Sequence, residues 1–174
     1  LARAVLEADH VISMPVIKTH QWALMSGSMK NWFGAASINI HGNGISRCKL
    51  HVAYDGVACH GLDDAGVSGA FIDIVKWRKV NGFRDYAIVD GSICLEGSGP
   101  HKAPVNDGKT ILMKDRNRAK RFFVLASDDM VAADATIAGI IGAPVDTVKA
   151  LRMAKHLDLG ATEGIGIEGA TLDG

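Results

Sequence analysis

A chain of 174 residues, 48% hydrophobic and 22% charged, is long enough to hide roughly two-thirds of the surface its unfolded form exposes, and this composition excludes a disordered protein. Its 19 basic residues balance 19 acidic ones, which excludes the broad positive footprint of a nucleic-acid or anionic-membrane binder, so any anion site must be local. No apolar run reaches the roughly 18 residues of a membrane-spanning helix. Cys48, Cys59 and Cys94 contain no C-x-x-C pair, so they read as inert thiols and no iron–sulfur cluster is expected within this chain.

Residues 2–8 read as helix, and HVISMPV (10–16) as a buried strand running into IKTH. Polar groups that follow an apolar strand stand at the carboxyl edge of a sheet, where open α/β folds bind ligands. Residues 22–37, WALMSGSMKNWFGAAS, have helical apolar spacing at Leu24, Met25, Met29, Trp32 and Phe33, weakened by Gly27 and closed near Gly34. Residues 37–65 hold His41, His51 and His60 among glycines without sustained periodicity, a long irregular insertion of the kind that carries function or disorder. AFIDIVKWRKV (70–80) returns to helix. YAIVDGSICL (86–95) contains a strand ending at Asp90 and Gly91, followed by a loop over 96–109.

FFVLASDD (122–129) is a third apolar strand ending in acids, and MVAADATIAGIIG (130–142) a small-residue helix suited to packing on a sheet. VDTVKALRMAKHL (145–157) reads as a further helix and IGIEG (165–169) as a short closing strand. Strands alternating with helices predict an α/β fold: a mostly parallel sheet with helices on both faces, three-layer, carrying the long irregular insertion. The whole chain, 1–174, reads as a single domain. Because it begins at Leu1 without an initiator methionine, it is expected to be a fragment or processed part of a longer chain. A cytoplasmic location is slightly favoured, and an exported full-length form stays open.

Three strand ends carry the polar residues: Lys18, Thr19 and His20 after the first, Asp90 after the second, Ser127, Asp128 and Asp129 after the third. Their convergence at one sheet edge predicts a pocket with bases on one side and carboxylates on the other. Lys18, Thr19 and His20 supply a cation, a hydroxyl and an imidazole within three residues, suited to holding and protonating an oxyanion. Lys30 and Asn31 can clamp a phosphate or carboxylate, while Trp32 and Phe33 pack as core. His51 and His60 match no helical metal pair. His51 with Asp90 or Asp128 is the candidate ligand set for a divalent metal. One of Asp128 and Asp129 is expected to cap the following helix. Asp134, among alanines in a sheet-packed helix, must be paired or functional if buried. Asp90 joins Glu96 through VDGSICLEGSGP, which lacks a dinucleotide fingerprint.

In this order, PVIKTH (15–20), MKNWFG (29–34), KLH ending at His51, IVDG and EGSGP (88–100), and ASDDMVAADA (126–135) resemble the family known as domain of unknown function 362. The resemblance spans roughly residues 9 to 160. It implies that Lys18, Thr19, His20, Lys30, Asn31, His51, Asp90, Glu96, Asp128, Asp129 and Asp134 occupy family motif positions. It also implies a link to iron–sulfur proteins, with a ferredoxin-like domain or protein as partner. Any cluster would lie outside this chain.

Two functions fit these residues. In an enzyme of redox or metal-assisted type, Lys18 and Lys30 hold an anionic substrate, His20 or His51 moves a proton or binds metal, and Asp90 with Asp128 completes the catalytic group, with Thr19, Asn31, Glu96 and Asp134 as ligand-binding residues. In a non-catalytic ligand-binding or electron-transfer accessory module, the same residues bind a small anion and no bond is broken. The absence of a nucleophile motif such as G-x-S-x-G supports the second.

Overall fold

The computed structural model describes residues 1–36, 48–95 and 123–169. A one-turn helix α1 (Arg3–Glu7) leads into β1 (His10–Ser13), β2 (Val16–His20) and β3 (Leu24–Ser26). Next come α2 (Ser28–Asn31), a 3-10 turn at Trp32–Ala35, α3 (Cys48–Val52) and the long α4 (Gly66–Val80). β4 (Arg84–Leu95), β5 (Val124–Ser127), α5 (Met130–Ile141), a 3-10 turn at Val145–Thr147 and α6 (Lys149–His156) follow.

The architecture is α/β, with an open, mostly parallel five-stranded sheet flanked by helices. β1 and β2 both pair in parallel with β4, His10 opposite Arg84 and Val16 opposite Asp90. The offset is the same in both pairs, so β1 and β2 form one run along β4, interrupted at Met14–Pro15. Pro15 has no N–H for the ladder, but its carbonyl accepts from Asp90 N at 2.9 Å. Beyond Val16 the register shifts and Lys18 lies opposite Leu95. β3 turns back antiparallel on β2, and β5 lies antiparallel on β4.

Alternation along the β1–β2 run divides the side chains. Ser13, Ile17 and Thr19 are buried with Ala87 and Val89 of β4, and α5 packs on β4 and β5. Every residue from Met130 to Ala138 is buried, which is why this helix is built of alanine and other small or apolar residues rather than an amphipathic pattern. Ile12, Met14 and Val16 are exposed. Lys18 and His20 continue their row, half-buried. Arg78 of α4 is fully buried and joins three elements. It donates to both oxygens of Asp85 on β4, at 2.5 and 2.7 Å, and to the Val5 carbonyl of α1 at 2.8 Å.

Several local expectations give way to long-range contacts. The helix expected from residue 22 is absent over 22–36: β3, α2 and a 3-10 turn replace it, because Gly27 is extended and the chain restarts as helix on a carboxylate from α5. β4 does not stop at Asp90 but runs to Leu95. It has partners on both sides, Pro15 O for Asp90 N and Phe123 O for Gly91 N. The expected irregular insertion contains α3, and α4 begins at Gly66 rather than residue 70. The helix expected over 145–157 is broken at Val148, whose backbone is extended. The Thr147 hydroxyl donates to the Pro144 carbonyl at 2.7 Å and closes the preceding turn. Residues 165–169 form no strand; Gly164 and Gly169 there adopt positive φ of 66° and 97°, outside the strand region.

Candidate functional site

The basic residues gather at the carboxyl end of β2. Lys18 and His20 share one face of the strand, and Thr19 points to the core, so the three-residue cluster divides between two environments. A tight turn follows in which the N–H groups of Trp22 and Ala23 both donate to His20 Nδ1 at 3.2 Å. A backbone N–H can only donate, so Nδ1 is the acceptor and the imidazole carries its proton on Nε2. The turn ends at Leu24, which takes a positive φ of 66°, an unusual conformation for a residue with a side chain.

Lys30 reaches the same place from α2. Burial, then the charges of Lys30, His51 and Lys18, push His20 down to about 4. Burial and the charge of Lys18 bring Lys30 down to about 8, and burial also lowers Lys18. Like charges in a partly desolvated setting disfavour protonation in this way. Among the described residues, no carboxylate lies in salt-bridge contact with Lys18 or Lys30. His51, from α3, packs edge-on against Phe33 and Trp22, with ring centroids 4.6 and 5.6 Å away. Trp22 also meets His20 at 6.0 Å.

The position of Lys30 is set by α5. Asp134 is buried and accepts from Ser28 N at 2.6 Å and Met29 N at 3.0 Å. It thereby satisfies free N–H groups at the start of α2. Burial pushes Asp134 up to about 6, against these two hydrogen bonds. Gly27 permits the approach, since a Cβ there would lie 2.3 Å from Asp134 Oδ1. Ser13, in an apolar strand, completes the brace: its hydroxyl donates to Ser28 O at 3.0 Å and accepts from Asn31 Nδ2 at 3.1 Å. Sequence reasoning singled out neither Ser13 nor Trp22. A lone serine in a buried strand was the available signal, because a buried hydroxyl needs a partner.

The acids expected to close the pocket stand elsewhere. Asp90 lies mid-strand opposite Val16 and Val124, and hydrogen bonds from Ser92 hold its carboxyl below the usual range. Because β5 is antiparallel, its carboxyl end lies beside Ala87, at the level of Ser13. Ser127, where β5 ends, therefore lies five residues along the sheet from Lys18, roughly 16 Å at about 3.3 Å per residue, and Asp128, the next residue, is exposed. The three strand ends do not converge. Asp129 is the cap: its Oδ1 accepts from Val131 N and Ala132 N, at 2.8 and 3.0 Å, and its Oδ2 from Ala161 N at 2.8 Å. Glu96 lies outside the described residues. Among the described residues, no three His, Cys, Asp or Glu side chains come together as a metal-binding group.

A family model for a domain of unknown function, DUF362, matches residues 1–139. The chain belongs to the DUF362 family. The DUF362 match takes in all five strands and α5 through Gly139, including Asp134, and stops before α6. No similar curated protein and no similar solved structure is found. Among the described residues of this DUF362 chain, no helix is long and apolar enough to cross a membrane.

Proposed function

We propose that this DUF362 chain binds a small anionic molecule at the carboxyl end of β2, with Lys18 and Lys30 supplying charge and His20 donating a hydrogen bond from Nε2. The observation that carries this reading is the gathering of three half-buried bases from two elements, with no described carboxylate paired to either lysine. Crowding like charges away from water is costly, and an anion offsets that cost through charge-assisted hydrogen bonds. In this reading Asp134, Ser13 and Asn31 are positioning residues for α2, and His51 is an aromatic neighbour of the site.

Lys30 favours a catalytic form of the same proposal. A lysine brought to about 8 changes protonation close to neutral pH, as a general base must. The non-catalytic module uses the same contacts without bond breaking.

Calorimetric titration of the purified chain with inorganic phosphate and, separately, acetate tests the reading. Binding of at least one anion is expected, weakened about 10- to 100-fold by Lys18→Ala or Lys30→Ala, the range for losing a charge-assisted contact. Thermal melts of the variants verify that they remain folded. Failure of the wild-type chain to bind either anion, or unchanged affinity in both folded variants, refutes the proposal.

A further inference from the structure

Building on that anion site, we infer that its ligand carries the anionic group on a planar ring, and that this ring lies against Trp22. Trp22 is 59% exposed although it adjoins His20 of the basic cluster. Tryptophan is highly buried on average, and the other two in this chain have clear packing roles. Trp32 is 3% exposed in the core, and Trp77, 40% exposed, stacks one face on Phe83 at 5.6 Å with an interplanar angle of 29°. Among the described residues, the ring contacts of Trp22 are steeply inclined, at 64° to His20 and 71° to His51, and the side chain is more than half exposed.

The backbone that presents this ring is held. Trp22 N donates to His20 Nδ1, and the turn is closed two residues later by Met25 N donating to Ala23 O at 2.8 Å around the left-handed Leu24. One imidazole thus links the two halves of the site: its Nδ1 fixes the turn that displays the indole, while its Nε2–H is left for an oxyanion. A flat ring recovers apolar area and gains an offset-stacked or edge contact on the indole. A bare inorganic anion or a short alkyl ester can use only the basic half.

The test compares phenyl phosphate with methyl phosphate, which share one anionic group, and benzoate with acetate in parallel. Affinities are measured by calorimetry on wild type, Trp22→Ala and Trp22→Phe. In the wild type the ring-bearing member of at least one pair is expected to bind about tenfold tighter. That ratio should fall to near one in Trp22→Ala and be largely kept in Trp22→Phe. Equal binding of both members of each pair, or a preference that survives Trp22→Ala, overturns the inference and leaves the anion site standing. No binding of any of the four anions overturns the anion site and the inference with it.

Discussion

Gly27→Ala tests the brace that places Lys30. An alanine Cβ at this position would lie 2.3 Å from Asp134 Oδ1 and 2.8 Å from its Cγ, closer than non-bonded atoms tolerate. The backbone is not the obstacle, because Gly27 has an extended φ of −140°, and at a compatible site Gly→Ala commonly stabilises by about 0.4–1 kcal/mol. Here the carboxylate must move instead, and Asp134 sits in the stretch Met130–Ala138, every residue of which is buried. Its hydrogen bonds from Ser28 N and Met29 N are lost while the charge stays buried. At about 1.5–3 kcal/mol for each bond to a charged group, the cost is about 3–6 kcal/mol. Urea unfolding followed by circular dichroism measures it. Introducing Asp134→Ala removes the clashing atoms, so Gly27→Ala should then cost little in that background. A loss below about 1 kcal/mol in the single variant, or the same loss with and without Asp134, refutes the brace.

Arg78→Ala leaves Asp85, only 12% exposed, without its partner and should lower stability by about 3–5 kcal/mol in chemical unfolding. Arg78→Lys should recover only part of this, since an ammonium cannot reproduce the two-pronged contact; full recovery counts against the geometry. Asp129→Ala removes the cap of α5 and the tether to Ala161, an expected loss of about 1–2 kcal/mol, and an unchanged melting temperature contradicts it. Asp134 has an ordinary value of 3.8 and a folded value of about 6. Between these the folded state keeps a proton the unfolded state has released, so its contribution to stability grows as pH falls through 6 and levels off below 3.8. The advantage of wild type over Asp134→Asn should therefore be larger at about pH 4.5 than at about pH 7, and a reversed order refutes the assignment. Lys30, at about 8, loses its charge as pH rises through that value, so anion affinity should decline there. A titration series with constant affinity up to about pH 9.5 excludes Lys30 from the site.

Much of the architecture was legible because neighbouring residues decide it. The apolar runs at 10–17 and 86–89 and the small-residue run after Asp129 identify strand, strand and helix, and paired acids before Met130 announce the cap that Asp129 makes. The change from apolar strand to Lys18 and His20 likewise placed these two bases at the carboxyl end of β2. The acidic half was misplaced because strand direction is not a local property. Asp128 follows β5 whichever way β5 runs, and only its antiparallel pairing with β4 sends it away from Lys18. Asp90 shows the same limit: Gly91 looks like a terminus, yet hydrogen-bond partners on both sides carry the strand onward.

The sequence by itself determined the alternating α/β class, the local cap before Met130, and the basic residues at the end of β2, since periodicity, helix-end chemistry and the switch from apolar to polar act within a few residues. Only the tertiary structure decided which basic residues meet. The contact of Asp134 with Ser28 crosses 106 residues of chain, and the meeting of His51, Trp22 and Phe33 depends on α3 folding back to the turn after β2. Propensity acts along the chain, whereas burial of a carboxylate, the hydrogen bonds that satisfy it and the crowding of like charges depend on distance in space.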